Sequence, residues 1–172
     1  MKVEAARSAL NAVNPDVEIV GLNQRVDANH LPKLVSQADV VLDCTDNFAT
    51  RHAINRACVQ HRKPLVSGAA IRFDGQLMVF DLRNPAAACY ACLFPEDAQV
   101  EEVQCSTMGV FAPLTGVVGA MQAMEAIKLI ADVGKSTDLQ ILDAKSAVWR
   151  SVRVKKDPAC SVCGKRVTPR LP

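Results

Sequence analysis

No GxGxxG stands anywhere in the 172 residues, and only eight glycines are spread along them. The loop by which a complete dinucleotide-type fold cradles phosphates is therefore missing from this sequence, and a nucleotide site built here would lack part of its wall. Long apolar runs are missing too. None approaches the roughly 18 uninterrupted residues of a membrane span, and the opening MKVEAARSALNAV mixes polar residues through the stretch that a signal peptide keeps apolar. Nor is there a block of like charge. Twenty basic residues against 18 acidic ones leave a formal charge of +2, which gives no basic face for nucleic acid or membrane. What is present is a chain that is 49% hydrophobic and as long as one ordinary domain, enough to bury a core. These features predict a cytoplasmic protein, a setting in which paired cysteines serve as metal ligands or redox groups more often than as disulfides.

The pattern alternates between helical and extended periods. Val3, Ala6, Leu10 and Val13 recur at helical spacing until Asn14-Pro15, and VEIVGL then predicts a strand. Asp27 is placed to cap a helix through LPKLVSQ, and VVLDCT has the continuous apolar character of a strand buried on both faces. Asp46 or Asn47 caps a helix through FATRHAINRACVQHRK, with Ala53, Ala57 and Val59 toward the core, and Pro64 opens another strand, LVSGAA. This order predicts a parallel sheet covered by helices on its faces. From Ile71 the chain changes character. FDGQLMVFDLRN predicts a hairpin turning at Asp74-Gly75, and residues 93–108 are polar, acidic and aperiodic, as in a crossover loop. A helix follows from about Val110 to Val133, with Gly116, Gly119, Ala120 and Ala123 as a face for close packing, and LQILDA and AVWRSVRVK predict a last pair of strands.

Four of the seven cysteines stand in two matched Cys-x-x-Cys pairs, Cys89/Cys92 and Cys160/Cys163. That spacing lets two thiolates from one turn reach the same ion, and two such turns complete a closed tetrahedral zinc site. A redox dithiol would need only one pair. Asp43 ends a strand and Asp46-Asn47 begin a helix, the crevice position at which open α/β sheets bind ligands. A carboxylate there can hold Mg²⁺ on a nucleotide's phosphates, or can simply cap the helix. Arg51, one turn into that helix, can pair with a neighbouring carboxylate. Cys44 and Cys58 are expected to be buried and inert, and Cys105, in the polar loop, exposed.

LDCTDNFATRHAIN, PLVSGAAIRFDGQLMVF, CYACLFP, GVVGAMQAMEAIKLI and CSVCG together resemble the ThiF/MoeB/HesA family of E1-like adenylyltransferases, over nearly the whole chain. LDAKSAVWRSVRV looks closest to the ThiF branch. The resemblance implies a partial Rossmann-like mixed α/β sheet with helices on both faces, C-terminal antiparallel strands and a structural zinc site. It implies that residues 1–172 correspond to the C-terminal two-thirds of one adenylation domain, whose glycine-rich loop, ribose-binding acid and phosphate-binding arginines lie upstream of the matched lysine. The implied activity is ATP-dependent adenylation of the C-terminal glycine of a ubiquitin-like sulfur-carrier protein of the ThiS or MoaD type, with a homodimer as the assembly. Lys2 matches a lysine on the ATP phosphates, Asp46 the Mg²⁺ carboxylate with Asn47 beside it, Cys105 the acceptor thiol, and Cys89, Cys92, Cys160 and Cys163 the zinc ligands. The carrier's tail is expected across the sheet toward Asp46, near the acidic stretch from Glu96 to Glu102. A chain starting at Met1 is expected to bind ATP poorly and to adenylate nothing alone. The alternatives are a non-catalytic, zinc-stabilised carrier-binding module and an E1-like enzyme of another pathway.

Overall fold

Alternating apolar and turn-forming segments are drawn into one five-stranded sheet, ordered β1 to β5 in sequence. The structure, a computed structural model, describes residues 1–98, 108–134 and 136–164. Strand β1 (Val41–Asp43) runs parallel to β2 (Leu65–Ile71), with Asp43 beside Ser67. Strands β3 (Asp74–Phe80), β4 (Leu139–Asp143) and β5 (Val148–Val152) each pair antiparallel with the strand before them. Among the described residues run the helices α1 (Lys2–Val13), α2 (Leu31–Gln37), α3 (Phe48–His61), the single turn α4 (Tyr90–Leu93) and α5 (Ala112–Ala131).

Strand alternation sorts the core into two layers. Leu65, Met78, Phe80 and Leu139 share one cluster with Ile54, Ala57 and Cys58 of α3. Val66, Leu77 and Val79 point the other way and meet Leu129 of α5, while Leu114 and Val118 of α5 meet Leu142. The mixed sheet with helices on both faces is therefore as the sequence implies.

Five local expectations need correction. The hairpin turns at Arg72-Phe73, not at Asp74-Gly75, because Ile71 pairs with Asp74 and Ala70 with Gly75. Arg72 takes the left-handed backbone (φ 50) that a two-residue turn requires. Gly75 serves packing instead, since a Cβ there would lie 3.0 Å from Leu114 Cδ1 and 3.1 Å from Val118 Cγ2. VEIVGL forms no strand; it has no pairing partner among the described residues, and Val17, Val20 and Leu22 are exposed. Strand β1 is not buried on both faces, for Leu42 is 40% exposed; among the described residues it pairs only with β2. Asp27 caps a turn ahead of α2, accepting from the N–H groups of Asn29 and His30, while His30 holds the N-cap position.

The fifth concerns α5. Gly116, Gly119, Ala120 and Ala123 face outward, and the buried face is Leu114, Val118, Gln122, Glu125, Ala126 and Leu129. The larger residues win because β2 and β3 offer flat apolar surface that fills better with Leu and Val than with glycine. Helix α5 is also the one described helix long and apolar enough to cross a membrane by length and composition. Here it lies along the sheet.

Candidate functional site

Asp46 follows β1 at the carboxyl end of the parallel pair and is exposed. It lines a cavity of about 450 Å³ together with Thr45, Arg51, Gly68 and Gln122, and the cavity runs on past Met78, Tyr90 and Phe94. Asn47 caps α3, its side-chain oxygen accepting from the Thr50 N–H at 2.8 Å. The capping role foreseen as the plain alternative thus falls to Asn47, which leaves the Asp46 carboxylate free of it. Asp46 forms no ion pair among the described residues.

The turn that presents Asp46 is fixed from below. Asp43 Oδ1 accepts from the Thr45 N–H at 2.9 Å and from the Thr45 hydroxyl at 2.7 Å. Arg51 pairs with a neighbouring carboxylate as the sequence allows, and it is buried at 8% exposure. One terminal nitrogen donates to the Thr45 carbonyl and, at 3.1 Å, to the Gly68 carbonyl; the other donates to Ser67 Oγ at 3.3 Å and lies 3.8 Å from Asp43 Oδ2. That second Asp43 oxygen is buried with no hydrogen bond among the described residues, so the nearby guanidinium is its compensation. One cation therefore ties the β1 turn to β2.

From the opposite face Gln122 of α5 completes the frame. Its amide donates to the Asp43 carbonyl at 2.9 Å and to the Val66 carbonyl at 3.2 Å, and its oxygen accepts from the Cys44 thiol at 3.5 Å. A Cβ on Gly68 would sit 2.4 Å from the Gln122 amide, which is buried and cannot retreat without losing those bonds. Gly68→Ala is accordingly expected to cost about 1–3 kcal/mol, the usual range for overpacking, as a lowered urea midpoint with an unchanged slope. Cys44 is exposed, not buried as expected, because β1 ends just before it. Even so, partial burial pushes its thiol up, as it pushes the enclosed Cys58 up to about 12. Burial also holds His52 below its ordinary value and lifts Tyr90 above its own.

The two cysteine pairs meet. Their four sulfurs lie within 4.8 Å of one another, with Cys89–Cys92 at 4.0 Å, Cys89–Cys160 at 3.7 Å and Cys92–Cys163 at 3.4 Å. Tetrahedral thiolates about 2.3 Å from a zinc ion are about 3.8 Å apart, so this donor set fits a four-coordinate metal. The Cys89 hydrogen bond, with help from the Asp157 N–H, holds the Cys92 thiol down to about 4, while Cys89 itself is pushed upward by the same contact and by burial. A cation is what allows several such sulfurs to ionise together. Helix α4 supplies the first pair from one turn, anchored by buried Asn55 of α3, whose oxygen accepts from the Tyr90 N–H at 3.0 Å and whose amide reaches Cys89 Sγ at 3.6 Å.

Residues 1–162 match the ThiF family. The chain belongs to that family. It is 44% identical over 165 residues to the sulfur carrier protein ThiS adenylyltransferase of Escherichia coli, covering 95% of this chain and 64% of that protein. It is 44% identical over 167 residues to the molybdopterin-synthase adenylyltransferase of the same organism, covering 95% of this chain and 66% of that protein. The chain thus spans about two thirds of the length of these curated relatives. The fold is shared with the crystal structure of E. coli MccB with ATP, at a TM-score of 0.75 and 20% identity, over 95% of this chain and 51% of that one.

The remaining expected site residues of this ThiF-family chain are placed unevenly. Lys2 heads α1, is exposed and lies outside the lining of the cavity. Cys105 lies outside the described residues, as does most of the acidic stretch, although Glu96 is described and pairs with Arg56 at 2.5 Å. Sequence reasoning placed Asp43 at the crevice but missed its buried pairing, and it missed Gln122 and Asn55. Their one signal was a polar side chain inside an otherwise apolar stripe.

Proposed function

We propose that this chain carries the cavity-forming and zinc-stabilised part of an adenylyltransferase that acts on the C-terminal glycine of a ubiquitin-like sulfur carrier of the ThiS or MoaD type, as part of a homodimer. The observation that supports it most is the Asp46 carboxylate, exposed and without an ion pair among the described residues, at the mouth of the parallel pair on a turn held by Arg51, Asp43 and Gln122. A carboxylate so presented suits Mg²⁺ with a triphosphate, and Lys2 is the cation assigned to the phosphates. In the reaction a carrier carboxylate oxygen bonds to the α-phosphorus of ATP and the bond to pyrophosphate breaks, leaving an acyl-adenylate. Bound Mg²⁺ would neutralise the charge that gathers on the phosphate oxygens.

The chain's own residues contribute placement. Arg51 and Gln122 fix the turn, so Asp46 needs no reorganisation when charge develops. Phe94, Leu93 and Tyr90 wall the cavity beside Met78 and offer an apolar track for an extended tail crossing toward Asp46. Cys105 is the thiol we assign to covalent capture of the carrier, and the four clustered cysteines hold Zn²⁺ as a structural ion. Retention of ThiS-type or MoaD-type carrier in a pull-down, with and without Mg·ATP, tests the assignment. Capture of one carrier is expected, and capture of neither overturns it. Asp46→Asn should lower pyrophosphate exchange on the order of 100-fold, the size of losing one preorganised transition-state contact, in a chimera whose N-terminal third comes from the E. coli ThiS adenylyltransferase. An unchanged rate would remove Asp46 from the site.

A further inference from the structure

Asn55 sits in the middle of α3 with no exposure, at a position where a leucine of similar size would fill the space without desolvating an amide. Both ends of that amide are spent on one neighbour. The oxygen accepts from the Tyr90 N–H at 3.0 Å and the nitrogen donates to Cys89 Sγ at 3.6 Å, so α3 holds the first cysteine turn from outside it. The second cysteine turn is held from within. Cys160 N–H donates to the Asp157 carbonyl and Gly164 N–H to the Cys160 carbonyl, and the Asp157 N–H donates to Cys92 Sγ at 3.4 Å. Among the described residues Asn55 is the one side chain outside the cluster that hydrogen-bonds any of its sulfurs.

Asn55 also stands one turn after Arg51 on the same face of α3. Tyr90 spans the two. Asn55 binds its N–H, while its ring lies edge-on to His52 with centroids 5.3 Å apart and to Phe80 at 6.0 Å, and walls the cavity alongside Arg51 and Asp46. Burial raises the Tyr90 hydroxyl and the Arg51 guanidinium opposes that rise, which puts hydroxyl and cation within electrostatic reach. From Arg51 the bonds run on to the Thr45 and Gly68 carbonyls, which fix the turn that carries Asp46.

The geometry points to Asn55 as a positioning residue that couples the cysteine cluster to the Asp46 turn: with a metal on the four sulfurs, its amide donates to the Cys89 thiolate while its oxygen keeps Tyr90 seated beside Arg51. This rests on the metal and Asp46 readings above and states how one depends on the other. A thiolate accepts more strongly than a thiol, so metal loading tightens the contact, and by linkage the seated contact favours loading.

Asn55→Asp and Asn55→Leu, made in the whole chain, separate the two ends of the amide. The carboxylate keeps an acceptor for Tyr90 and offers no N–H to sulfur; the leucine keeps neither. Both are expected to weaken zinc binding by about 10–100-fold in chelator competition, the usual effect of removing a ligand's outer partner. In the cobalt-loaded protein both should move the thiolate-to-metal charge-transfer band to lower energy, because a sulfur relieved of its N–H donor gives up charge more readily. Loosened packing alone would leave that band in place. At the far end, zinc-loaded Asn55→Leu should exchange its amides from Thr45 to Asn47 about tenfold faster than zinc-loaded wild type, with Val118 to Ala126 of α5 unchanged. Tyr90→Phe, which removes only the hydroxyl facing Arg51, should speed the same amides while leaving zinc affinity and the cobalt band as they are. Wild-type zinc affinity and an unmoved band in both Asn55 variants overturn the link to sulfur. Unchanged exchange from Thr45 to Asn47 in Asn55→Leu and Tyr90→Phe overturns the link to the Asp46 turn and leaves the metal and Asp46 readings standing. A wild-type chain that takes up neither zinc nor cobalt removes the metal reading and the coupling together.

Discussion

Cys160→Ser is expected to abolish stoichiometric metal binding and to lower the melting temperature by well over 10 °C, the largest stability effect available from one side chain here. Four sulfurs within 4.8 Å of one another, in two turns 71 residues apart, do not stay close without a cation once several ionise. Structural zinc binds small domains with apparent free energies of about 10–16 kcal/mol, and most of that is folding free energy when the site does not exist in the unfolded chain. Chelation of the wild-type protein should reproduce the variant's melting temperature, and chelation of the variant should change nothing further. Zinc content by elemental analysis and a thermal scan read both. A zinc-free wild-type protein that melts where the purified one does would exclude a structural metal.

Arg51→Met is expected to destabilise the fold by about 3–5 kcal/mol, as measured by urea unfolding. The guanidinium is the only cation within 4.0 Å of Asp43 among the described residues, and its loss strands a buried carboxylate together with the carbonyls of Thr45 and Gly68. Asp43→Asn in the Arg51→Met background should recover part of the loss, because an uncharged side chain no longer needs the missing cation. That non-additivity, read as a double-mutant cycle, separates a charge effect from simple loss of packing. Arg51→Lys should fall in between, since an ammonium cannot serve Ser67, Thr45 and Gly68 with one planar fork. Equal losses in Arg51→Met and the double variant would show that Asp43 and Arg51 do not depend on each other.

Features set by local spacing were legible in the sequence. The alternation of helix and strand, the last strand pair and the matched cysteines all follow from periods of 3.6 and 2.0 or from a fixed gap of two residues. What escaped depended on partners distant in the chain. Gly75 looked like a turn residue because Asp-Gly so often turns hairpins, yet its place is set by Leu114 and Val118, about 40 residues on. The pairing of Arg51 with a neighbouring carboxylate was legible, but its burial was not, because its three acceptors lie in two other segments. The glycines and alanines of α5 looked like a packing seam, whereas the sheet selected the bulkier face. VEIVGL had the composition of a strand but lacks a neighbour to complete its ladder among the described residues.

The cysteine cluster ties the ends of a loop that holds the last two of the five described strands. Between Cys92 and Cys160 lie α5, β4 and β5, so a fluctuation that peels the last two strands away must also part the sulfurs. Loop-closure entropy already disfavours assembling so long a segment, and an ion held by the four sulfurs would recover that cost only when every piece is seated. With such an ion bound, partial opening of this end would be suppressed, and metal occupancy would become a single readout of whether the β4–β5 end has assembled at all.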